Sequence, residues 1–370
     1  MATILSQEQI KKVLPSVEAL IVAGSAGFRA FSNGSTTVAP VQHLCYEKGG
    51  KQIGDTCVKS GFRHSEDAEY FVTKIASSHP NNLSLGLSPS SGVMLLFSQR
   101  TGKLVCLLQD DGYLTDLRTA VAGSLAVATF GPRQVTRIGI VGTGVQALFQ
   151  LEMLLNVTEC REVSIFGRDE EKLAKIQTEA VALGYSSVLV TKAIADIGAS
   201  CNVIVTVTSA REPLLLAEHV RPGTLIVAMG SDGLGKQELD ARVLSPDVAD
   251  LVLVDSAAQC CAFGEASHGI QVGCLETADC IEIGQALSLL EESEEKDQNE
   301  EASMTSEQEQ KQEHEKQRRQ ELYYRCNIRA GDKRPSTGRP YTVVFDSTGV
   351  AIQDVQIAEA VFTSYKSSLK

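Results

Sequence analysis

The fold of this chain is decided by the stretch Arg137-Ile138-Gly139-Ile140-Val141-Gly142-Thr143-Gly144-Val145-Gln146-Ala147. An apolar segment typical of a β-strand runs directly into Gly-x-Gly-x-x-Ala, and a helical pattern follows from Leu148 to Leu155. Strand, glycine turn and helix in this order are the context that a dinucleotide-binding turn requires. Gly142 permits the tight turn, Gly144 lets a pyrophosphate approach the backbone, and Ala147 allows the helix to pack closely.

The helix after the turn completes the predicted phosphate site. Its first N–H groups have no partner within the helix, and the helix dipole places a partial positive charge at the same end. We therefore expect cofactor contacts from Gly142, Gly144, Val145, Gln146 and Ala147. A glycine turn without a ligand is the alternative, but the flanking strand and helix favour the nucleotide.

The composition argues against several classes of protein. The 370 residues carry a formal net charge of −12, which disfavours a nucleic-acid surface. We expect no membrane span, because no apolar run approaches ~18 residues, and no signal peptide, because residues 1–8 lack a basic region before an apolar one. The ten cysteines are scattered without paired Cys-x-x-Cys motifs. We therefore expect no metal site, and reduced thiols in a cytoplasmic protein.

The spacing of apolar residues changes near residue 135. Before it, the pattern predicts a helix over 6–31, strands and turns over 40–110, and an alanine-rich helix over 115–129. After it, strands and helices alternate, and a further helix is predicted over 277–292. Such alternation is typical of an α/β fold with a Rossmann-type doubly wound parallel sheet.

A charged segment at 291–320 interrupts this pattern. It holds eleven acidic and five basic side chains, a net charge of −6, and almost no apolar residues. Such a composition does not bury a core, so we expect a disordered or solvated helical insertion without chemistry.

The end of the second predicted strand bears on the choice of cofactor. Val163-Ser164-Ile165-Phe166 is followed by Gly167, where an NAD enzyme usually carries an acidic residue, and then by Arg168. A guanidinium can pair with a 2′-phosphate, so we expect NADP(H) to be preferred over NAD(H). Alternatively, Arg168 only ends the strand while Asp169 caps the next helix, or Asp169 turns inward and restores NAD binding.

Thr206 and Thr208 stand at the end of the strand predicted over 202–207. Small hydroxyl residues at the carboxyl end of such a strand line the cofactor crevice of a doubly wound sheet, and the same residues also form turns. Both interpretations stay open for this pair.

Six segments in order carry a pattern more specific than the glycine turn alone. They are Lys74 with His79-Pro80-Asn81, Leu114-Thr115-Asp116-Leu117-Arg118-Thr119-Ala120, the turn at 142–147, the segment Gly230-Ser231-Asp232-Gly233-Leu234-Gly235-Lys236-Gln237-Glu238-Leu239, Val254-Asp255-Ser256 with Phe263-Gly264-Glu265, and Val344-Phe345-Asp346-Ser347-Thr348-Gly349-Val350-Ala351-Ile352-Gln353-Asp354. With them the chain resembles the ornithine cyclodeaminase/mu-crystallin family over residues 35–290 and 340–365.

The resemblance implies a discontinuous architecture. Residues 1–124 and 335–370 would form an α+β substrate-binding and dimerisation domain. The Rossmann domain at 125–334 would be inserted in it, and the protein would be a homodimer.

The resemblance also implies roles for particular residues. Lys74 would bind the substrate and take part in catalysis, Arg118 would bind the substrate carboxylate, and Asp232 would be the catalytic acid or base. Further cofactor contacts would come from Thr119, Ser231, Ser347 and Gly349. The residues themselves fit these roles, because Arg118 offers a fork of donors at a helix start and Asp232 follows a strand that ends at the ligand-binding edge.

Each role has a structural alternative. Lys74 lies in an otherwise apolar strand and can extend outward to water instead. Arg118 can form a salt bridge to Asp110, Asp111 or Asp116, and Asp232 can serve as a turn residue before Gly233.

One position departs from the family. An arginine is expected shortly after a proline near residue 42, but this chain has Pro40-Val41-Gln42. Gln42 can donate a hydrogen bond to a carboxylate but brings no charge. Either Arg118 and Lys74 hold the carboxylate alone, or the substrate differs.

The resemblance implies an NAD(P)-dependent enzyme that transfers hydride at the α-carbon of a small amino or cyclic imino acid. The first expectation is the conversion of ornithine to proline and ammonia, as in a cyclodeaminase. Reduction of a ketimine with NADPH is the alternative, and binding of a small ligand without turnover, as mu-crystallin does, is a third.

Overall fold

The structure is a computed structural model that describes residues 2–66, 68–296, 322–336 and 338–369. Residues 297–320 of the predicted insertion lie outside the described residues, and residues 291–296 continue a helix that begins at Ile283. The chain forms two compact units. The first unit comprises Met1–Leu125, Gly144–Val157 and Gly349–Lys370, and the second comprises Ala126–Thr143 and Thr158–Thr348.

The first unit is built on a seven-stranded sheet. Its strands lie in the order β1-β7-β6-β5-β4-β2, and β3 pairs with β4. All of these pairs are antiparallel except the one between β1 and β7. The strands are β1 (Thr3–Ser6), β2 (Thr36–Val38), β3 (Gln42–Lys48), β4 (Lys51–Arg63), β5 (Tyr70–Ser78), β6 (Ser90–Ser98) and β7 (Leu104–Gln109).

Five helices accompany this sheet, and a short 3-10 helix lies at Pro80–Leu85. They are α1 (Gln7–Lys12), α2 (Val17–Ser32), α3 (Tyr113–Phe130), α4 (Val145–Leu154) and α10 (Ala351–Ser368). The single helix predicted over 6–31 is wrong, because the chain breaks into α1 and α2 around Pro15. Proline lacks an N–H and disfavours helical backbone at the residue before it. Ser16 then caps α2 by accepting the Ala19 N–H.

The second unit contains the predicted parallel sheet, so the α/β fold class is confirmed. Its order is β10-β9-β8-β11-β13-β17-β15-β16, and every pair in it is parallel. The strands are β8 (Ile138–Val141), β9 (Glu162–Phe166), β10 (Ser187–Thr191), β11 (Val203–Thr206), β13 (Leu225–Ala228), β15 (Leu251–Val254), β16 (Cys280–Glu282) and β17 (Val343–Asp346). A separate two-stranded sheet pairs β12 (Arg211–Leu215) with β14 (Gln237–Leu239).

The central strands are buried along their whole length, as expected where helices cover both faces of a parallel sheet. The helices are α5 (Glu170–Leu183), α6 (Ile194–Ser200), α7 (Ala257–Phe263), α8 (Glu265–Gln271) and α9 (Ile283–Lys296). From β8 the strand order runs to β9 on one side and to β11 on the other. This reversal is the point at which doubly wound sheets bind ligands.

Two boundaries differ from the prediction. Residues 335–370 were expected to return to the first domain, but β17 lies inside the parallel sheet between β13 and β15, and the returning segment begins at Gly349. The helix predicted over 277–292 begins only at Ile283, because Cys280–Glu282 pairs with β15 as a strand.

Candidate active site

A buried ion-pair cluster lies in the first unit. Lys74 on β5, Arg118 on α3 and Asp354 on α10 are 2%, 8% and 1% exposed. The Lys74 Nζ lies 3.0 Å from the Asp354 Oδ1, and the Arg118 Nε lies 3.2 Å from the same oxygen. Two cationic side chains therefore share one carboxylate oxygen away from water. We call these three residues the cation cluster.

The first turn of α10 holds the other side of Arg118. The Arg118 Nη1 donates to the Gln353 Oε1 at 2.9 Å, and the same oxygen accepts the Val350 N–H at 2.9 Å. Gly349 adopts a φ of +80°, and a Cβ there would lie 2.6 Å from the Arg118 Nη1. Glycine at 349 thus leaves the space that the guanidinium occupies.

A second lysine approaches the cluster from the neighbouring strand. Lys59 on β4 stands directly opposite Lys74, so their side chains share one face of the sheet. Lys59 is 8% exposed, and its ammonium donates to the Gly349 carbonyl. The loop before α10 is therefore tied to the sheet that carries Lys74.

Burial and neighbouring charges tune the protonation of this cluster. Burial, followed by the charges of Arg118 and Lys59, lowers the pKa of Lys74 to about 7 against the opposing effect of Asp354. Burial raises the pKa of Asp110 to about 6, opposed by the Leu114 N–H that its carboxylate accepts. Lys74 can therefore gain or lose a proton near neutral pH, which suits both carboxylate binding and proton transfer.

Sequence reasoning found Lys74 and Arg118 but missed their partner. The expected partners of Arg118 were Asp110, Asp111 or Asp116, but the ion pair is with Asp354. Arg118 also lies in the second turn of α3 and does not open the helix as expected. Asp354 lies in the last of the six segments, but its burial, shared by all of residues 351–358, appears only in the structure.

The structure does not bring Gln42 into the cluster. Gln42 lies exposed on β3, opposite Val58 of β4. In the part of the chain that the structure describes, no hydrogen bond or ion pair joins it to Lys74, Arg118 or Asp354.

Two predicted cofactor residues have internal partners in the first unit. The Gln146 amide on α4 donates to the Asp116 carboxylate at 2.8 Å and to its carbonyl at 3.1 Å. The Thr119 hydroxyl donates to the Thr115 carbonyl within α3. Gln146 therefore joins α4 to α3, whereas the Thr119 bond lies within α3, and the oxygen of each side chain can still accept a hydrogen bond.

The glycine turn has the predicted local geometry. Gly142 adopts a φ of +128°, and its N–H donates to the Phe166 carbonyl at 3.0 Å. Gly144 precedes α4, and a Cβ there would meet nothing within 4 Å. Ala147 is fully buried, whereas Val145 is half exposed. Open space therefore lies beside the free N–H groups of a helix start, as a phosphate requires.

At the end of β9 the structure supports the capping role of Asp169 and leaves the contact of Arg168 with a 2′-phosphate open. Asp169 caps α5, since its carboxylate accepts the Lys172 N–H at 3.0 Å. A Cβ at Gly167 would lie 2.6 Å from the Thr143 Cγ2, so no acidic side chain fits there without a shift. Arg168 is exposed. The guanidinium is thus the charged group that remains available at this strand end.

The loop after β13 carries the predicted acid or base. The Asp232 carboxylate is about half exposed and forms an ion pair with Lys236. The Ser231 hydroxyl donates to the Lys236 carbonyl at 2.9 Å, which closes the loop. Asp232 is therefore accessible, and a cation four residues away accompanies it.

Three further predicted cofactor residues lie at the same edge of the sheet. Thr206 is fully buried, and its hydroxyl donates to Glu238 at 2.6 Å. The Thr208 N–H donates to the same carboxylate at 2.5 Å. The Ser347 hydroxyl, at the end of β17, donates to Asp255 at 2.8 Å. These two hydroxyls and the Thr208 N–H stabilise the loops by internal hydrogen bonds, and Glu238 and Asp255 were missed as their partners.

Together, the parallel sheet, the glycine turn and the cation cluster define an α/β protein of the dinucleotide-binding class. The model of the ornithine cyclodeaminase/mu-crystallin family matches residues 2–368. The chain belongs to this family.

Three relatives illustrate the similarity. An archaeal alanine dehydrogenase, solved as a dimer with bound NAD, superposes with a TM-score of 0.78 at 28% identity, covering 100% of this chain and 97% of that one. The iminosuccinate reductase of Paracoccus denitrificans in complex with NAD+ gives a TM-score of 0.77 at 26% identity, with 99% and 97% covered. The ketimine reductase mu-crystallin of Mus musculus is 27% identical over 248 residues, 65% of this chain and 74% of the mouse protein.

Two features are absent from the residues that the structure describes. None of the helices there is long and apolar enough to cross a membrane. Within the same residues, no three histidine, cysteine, aspartate or glutamate side chains come together in a group that could hold a metal ion.

Proposed function

We propose that this protein is an NAD(P)-dependent oxidoreductase that interconverts a small α-amino acid and its imine. The observation that carries the proposal is the cation cluster, in which Lys74 and Arg118 share the single carboxylate of Asp354. A buried lysine and arginine are strong ligands for a substrate carboxylate. The three relatives described above, an alanine dehydrogenase, an iminosuccinate reductase and a ketimine reductase, support the same chemistry.

In this proposal the substrate carboxylate binds to Lys74 and Arg118. The guanidinium offers a planar set of N–H donors, and its hydrogen bond to the Gln353 Oε1 fixes its orientation. Fixing the carboxylate also fixes the neighbouring α-carbon, and such positioning can lower a barrier by several kcal/mol. Because its pKa is about 7, Lys74 could also donate a proton to the product as it forms.

The glycine turn and the start of α4 would hold the cofactor pyrophosphate. The space beside Gly144 and the helix N–H groups fit a phosphate, and Arg168 fits a 2′-phosphate. The nicotinamide, when bound, supplies the hydride acceptor or donor. We propose NADP(H) as the preferred form, with NAD(H) as the alternative.

Asp232 would manage the proton of the substrate amine. Its carboxylate is accessible and lies beside the Lys236 ammonium, and a carboxylate in this position can accept a proton from a bound amine. Gln42 would contribute little to substrate binding, because it is exposed and outside the cation cluster.

Cyclodeamination of ornithine to proline and ammonia is the second candidate. The accessible Asp232 favours it, because a half-exposed carboxylate could also receive the side-chain amine of ornithine in place of Lys236. The same parts are needed for both reactions, so product analysis must separate them.

The test is a panel of substrates with the purified protein. NADPH and NADH are each mixed with pyrroline-2-carboxylate, piperideine-2-carboxylate, pyruvate plus ammonia, or oxaloacetate plus ammonia, and cofactor oxidation and amino-acid products are measured. Separately, NAD+ and ornithine are tested for proline and ammonia. We expect reduction of at least one imine. Proline from ornithine without imine reduction would favour the second candidate, and cofactor binding without any turnover would refute both enzymatic functions.

We further propose that the protein is a cytoplasmic homodimer. The archaeal alanine dehydrogenase named above was solved as a dimer, which supports this assembly. Light scattering of the purified protein should give twice the 39.7 kDa mass of one chain. A monomer at micromolar concentration would refute the dimer.

A further inference from the structure

Glu238 on β14 accepts hydrogen bonds from two loops of the second unit. It is fully buried, and its carboxylate accepts the Thr206 hydroxyl at 2.6 Å, the Thr208 N–H at 2.5 Å and the Gly230 N–H at 2.8 Å. Thr206 ends β11, and Gly230 follows β13. One side chain therefore joins the loops after two strands that are neighbours in the parallel sheet.

The backbone leaves room for this contact only because residue 230 is glycine. A Cβ at Gly230 would lie 2.5 Å from the Glu238 carboxyl carbon and 2.2 Å from the Thr208 carbonyl oxygen. Any side chain there would push the carboxylate away or separate the two loops. The next residues in that loop are Ser231 and Asp232.

A second carboxylate holds Glu238 in place. Glu265, also fully buried, accepts the backbone N–H of Glu238 at 2.7 Å and that of Leu239 at 3.2 Å. Asp346, at the end of β17, accepts the Ala266 N–H at 2.9 Å and so fixes the helix that begins at Glu265. We call Glu238, Glu265 and Asp346 the carboxylate series.

We propose that Glu238 is a positioning residue for the cofactor side of the reaction. Its carboxylate fixes the loops after β11 and β13, so that Thr208, Ser231 and Asp232 keep one arrangement toward the cofactor and the substrate amine. This inference rests on the proposed function, since it assigns Glu238 to the same site. All three groups that meet the carboxylate are donors, so an ionised carboxylate fits them and an amide does not.

The first experiment is the variant Glu238→Gln. Its amide nitrogen would face the Gly230 N–H or the Thr208 N–H, donor against donor, which releases one of the loops. Binding of NADPH and of NADH is measured directly by calorimetric titration. We expect both dissociation constants to rise about tenfold, as the loss of one charged hydrogen bond implies. Glu162→Gln, at an exposed ion pair in the same unit, is the matched control and should bind as the wild type does.

Steady-state kinetics distinguish positioning from general damage. In Glu238→Gln the KM for the cofactor should rise and kcat should fall, while the KM for the imino acid stays within about twofold because Lys74 and Arg118 are unchanged. A folded variant with wild-type cofactor affinity and kcat would overturn the inference. Equal loss on both substrates would also overturn it, because only a general structural defect predicts that result.

A second variant covers the case in which Glu238→Gln does not fold. Thr206→Val removes one donor and keeps the shape of the side chain, so we expect a weaker shift of about threefold in cofactor affinity. Unchanged affinity in that variant would overturn the inference. If the wild-type protein binds neither NADPH nor NADH, the proposed function itself fails, and with it the assignment of Glu238. Binding without any effect of either variant refutes the positioning role alone.

Discussion

Two groups of buried charges in this protein differ in what neutralises them. In the cation cluster of the first unit, Lys74 and Arg118 are matched by another side chain, the carboxylate of Asp354. In the carboxylate series of the second unit, the charges are matched mainly by backbone N–H groups, such as those of Gly230 and Ala266. Burial raises the pKa of Asp346 to about 7, just as it lowers the pKa of Lys74 to about 7.

This difference in partners means that the cation cluster can exchange its partner for a ligand, whereas the carboxylate series cannot. A side-chain carboxylate such as Asp354 can give way to the carboxylate of a ligand, because the cations gain an equivalent partner. A backbone N–H is fixed by the fold, so a carboxylate that satisfies it stabilises one loop conformation. The first arrangement suits ligand binding, and the second suits positioning.

The largest effect is expected from Arg118→Met. This change removes the guanidinium that would bind the substrate carboxylate and leaves Asp354 with Lys74 alone. Truncating one member of a buried charge pair costs 2–5 kcal/mol, so kcat/KM should fall about 1000-fold while cofactor affinity stays constant. Arg133→Met, at an ion pair whose arginine is 74% exposed, should retain full activity. Retention of activity in Arg118→Met would remove the cation cluster from the site.

A large effect on stability is expected from Asp354→Asn. The substitution leaves two buried cations without their carboxylate, and breaking a buried pair in this way costs about 3 kcal/mol. The urea midpoint should fall clearly below that of the wild type. Asp332→Asn, the partner of the exposed Arg133, should lower the free energy of unfolding by less than about 0.5 kcal/mol. Equal midpoints for the two variants would mean that Asp354 does not stabilise the cluster.

The pH dependence of substrate binding should follow Lys74. In the proposed function the protonated amine of Lys74 binds the substrate carboxylate. Because the pKa of Lys74 is about 7, the free protein loses this charge as the pH rises above 7. The KM for the substrate should therefore rise up to about tenfold per pH unit above 7. In Lys74→Met the KM should be higher at every pH and lose this dependence. A wild-type KM that is flat between pH 7 and 9 would contradict the assignment.

The lowered pKa of Lys74 also predicts how the free energy of unfolding changes with pH. The pKa of this lysine is about 7 in the folded protein and 10.5 ordinarily, so the unfolded chain binds more protons between these values. The burial of Lys74 therefore lowers the free energy of unfolding in full below pH 7. This destabilisation decreases progressively as the pH rises from 7 to 10.5. Urea midpoints of the wild type and Lys74→Met should converge as the pH rises through this window.

The sequence predicted the parts of the site that have local signatures. The glycine turn at 142–147 is such a part, because strand, turn and helix follow one another along the chain. Lys74 and Arg118 were also found, since each lies within a short motif of the family.

The partners of these residues could not be predicted in the same way. Asp354 meets Lys74 and Arg118 only through the packing of α10, and Lys59 meets Lys74 only through the register of β4 and β5. Glu238 and Glu265 lie within the segments that carry the family resemblance, but their acceptor roles depend on backbone N–H groups that only the fold brings to them. Local spacing carries no information about such long-range contacts.

A moderate effect is expected from Arg168→Ala at the end of β9. If the guanidinium pairs with a 2′-phosphate, affinity for NADPH should fall about tenfold while affinity for NADH changes less than about twofold. Lys172→Ala, at another exposed cation in the first turn of α5, is the control. Equal losses for both cofactors would refute the 2′-phosphate contact and favour the structural interpretation of Arg168.

The smallest effect is expected from Gln42→Ala. The side chain is exposed on β3 and lies outside the cation cluster, so its loss should change the substrate KM by less than about twofold. A tenfold rise would show that Gln42 reaches the substrate carboxylate in the bound state. The substrate carboxylate would then be bound by an uncharged side chain in addition to Lys74 and Arg118. In that case the exchange of Asp354 for the substrate carboxylate would explain only part of the binding.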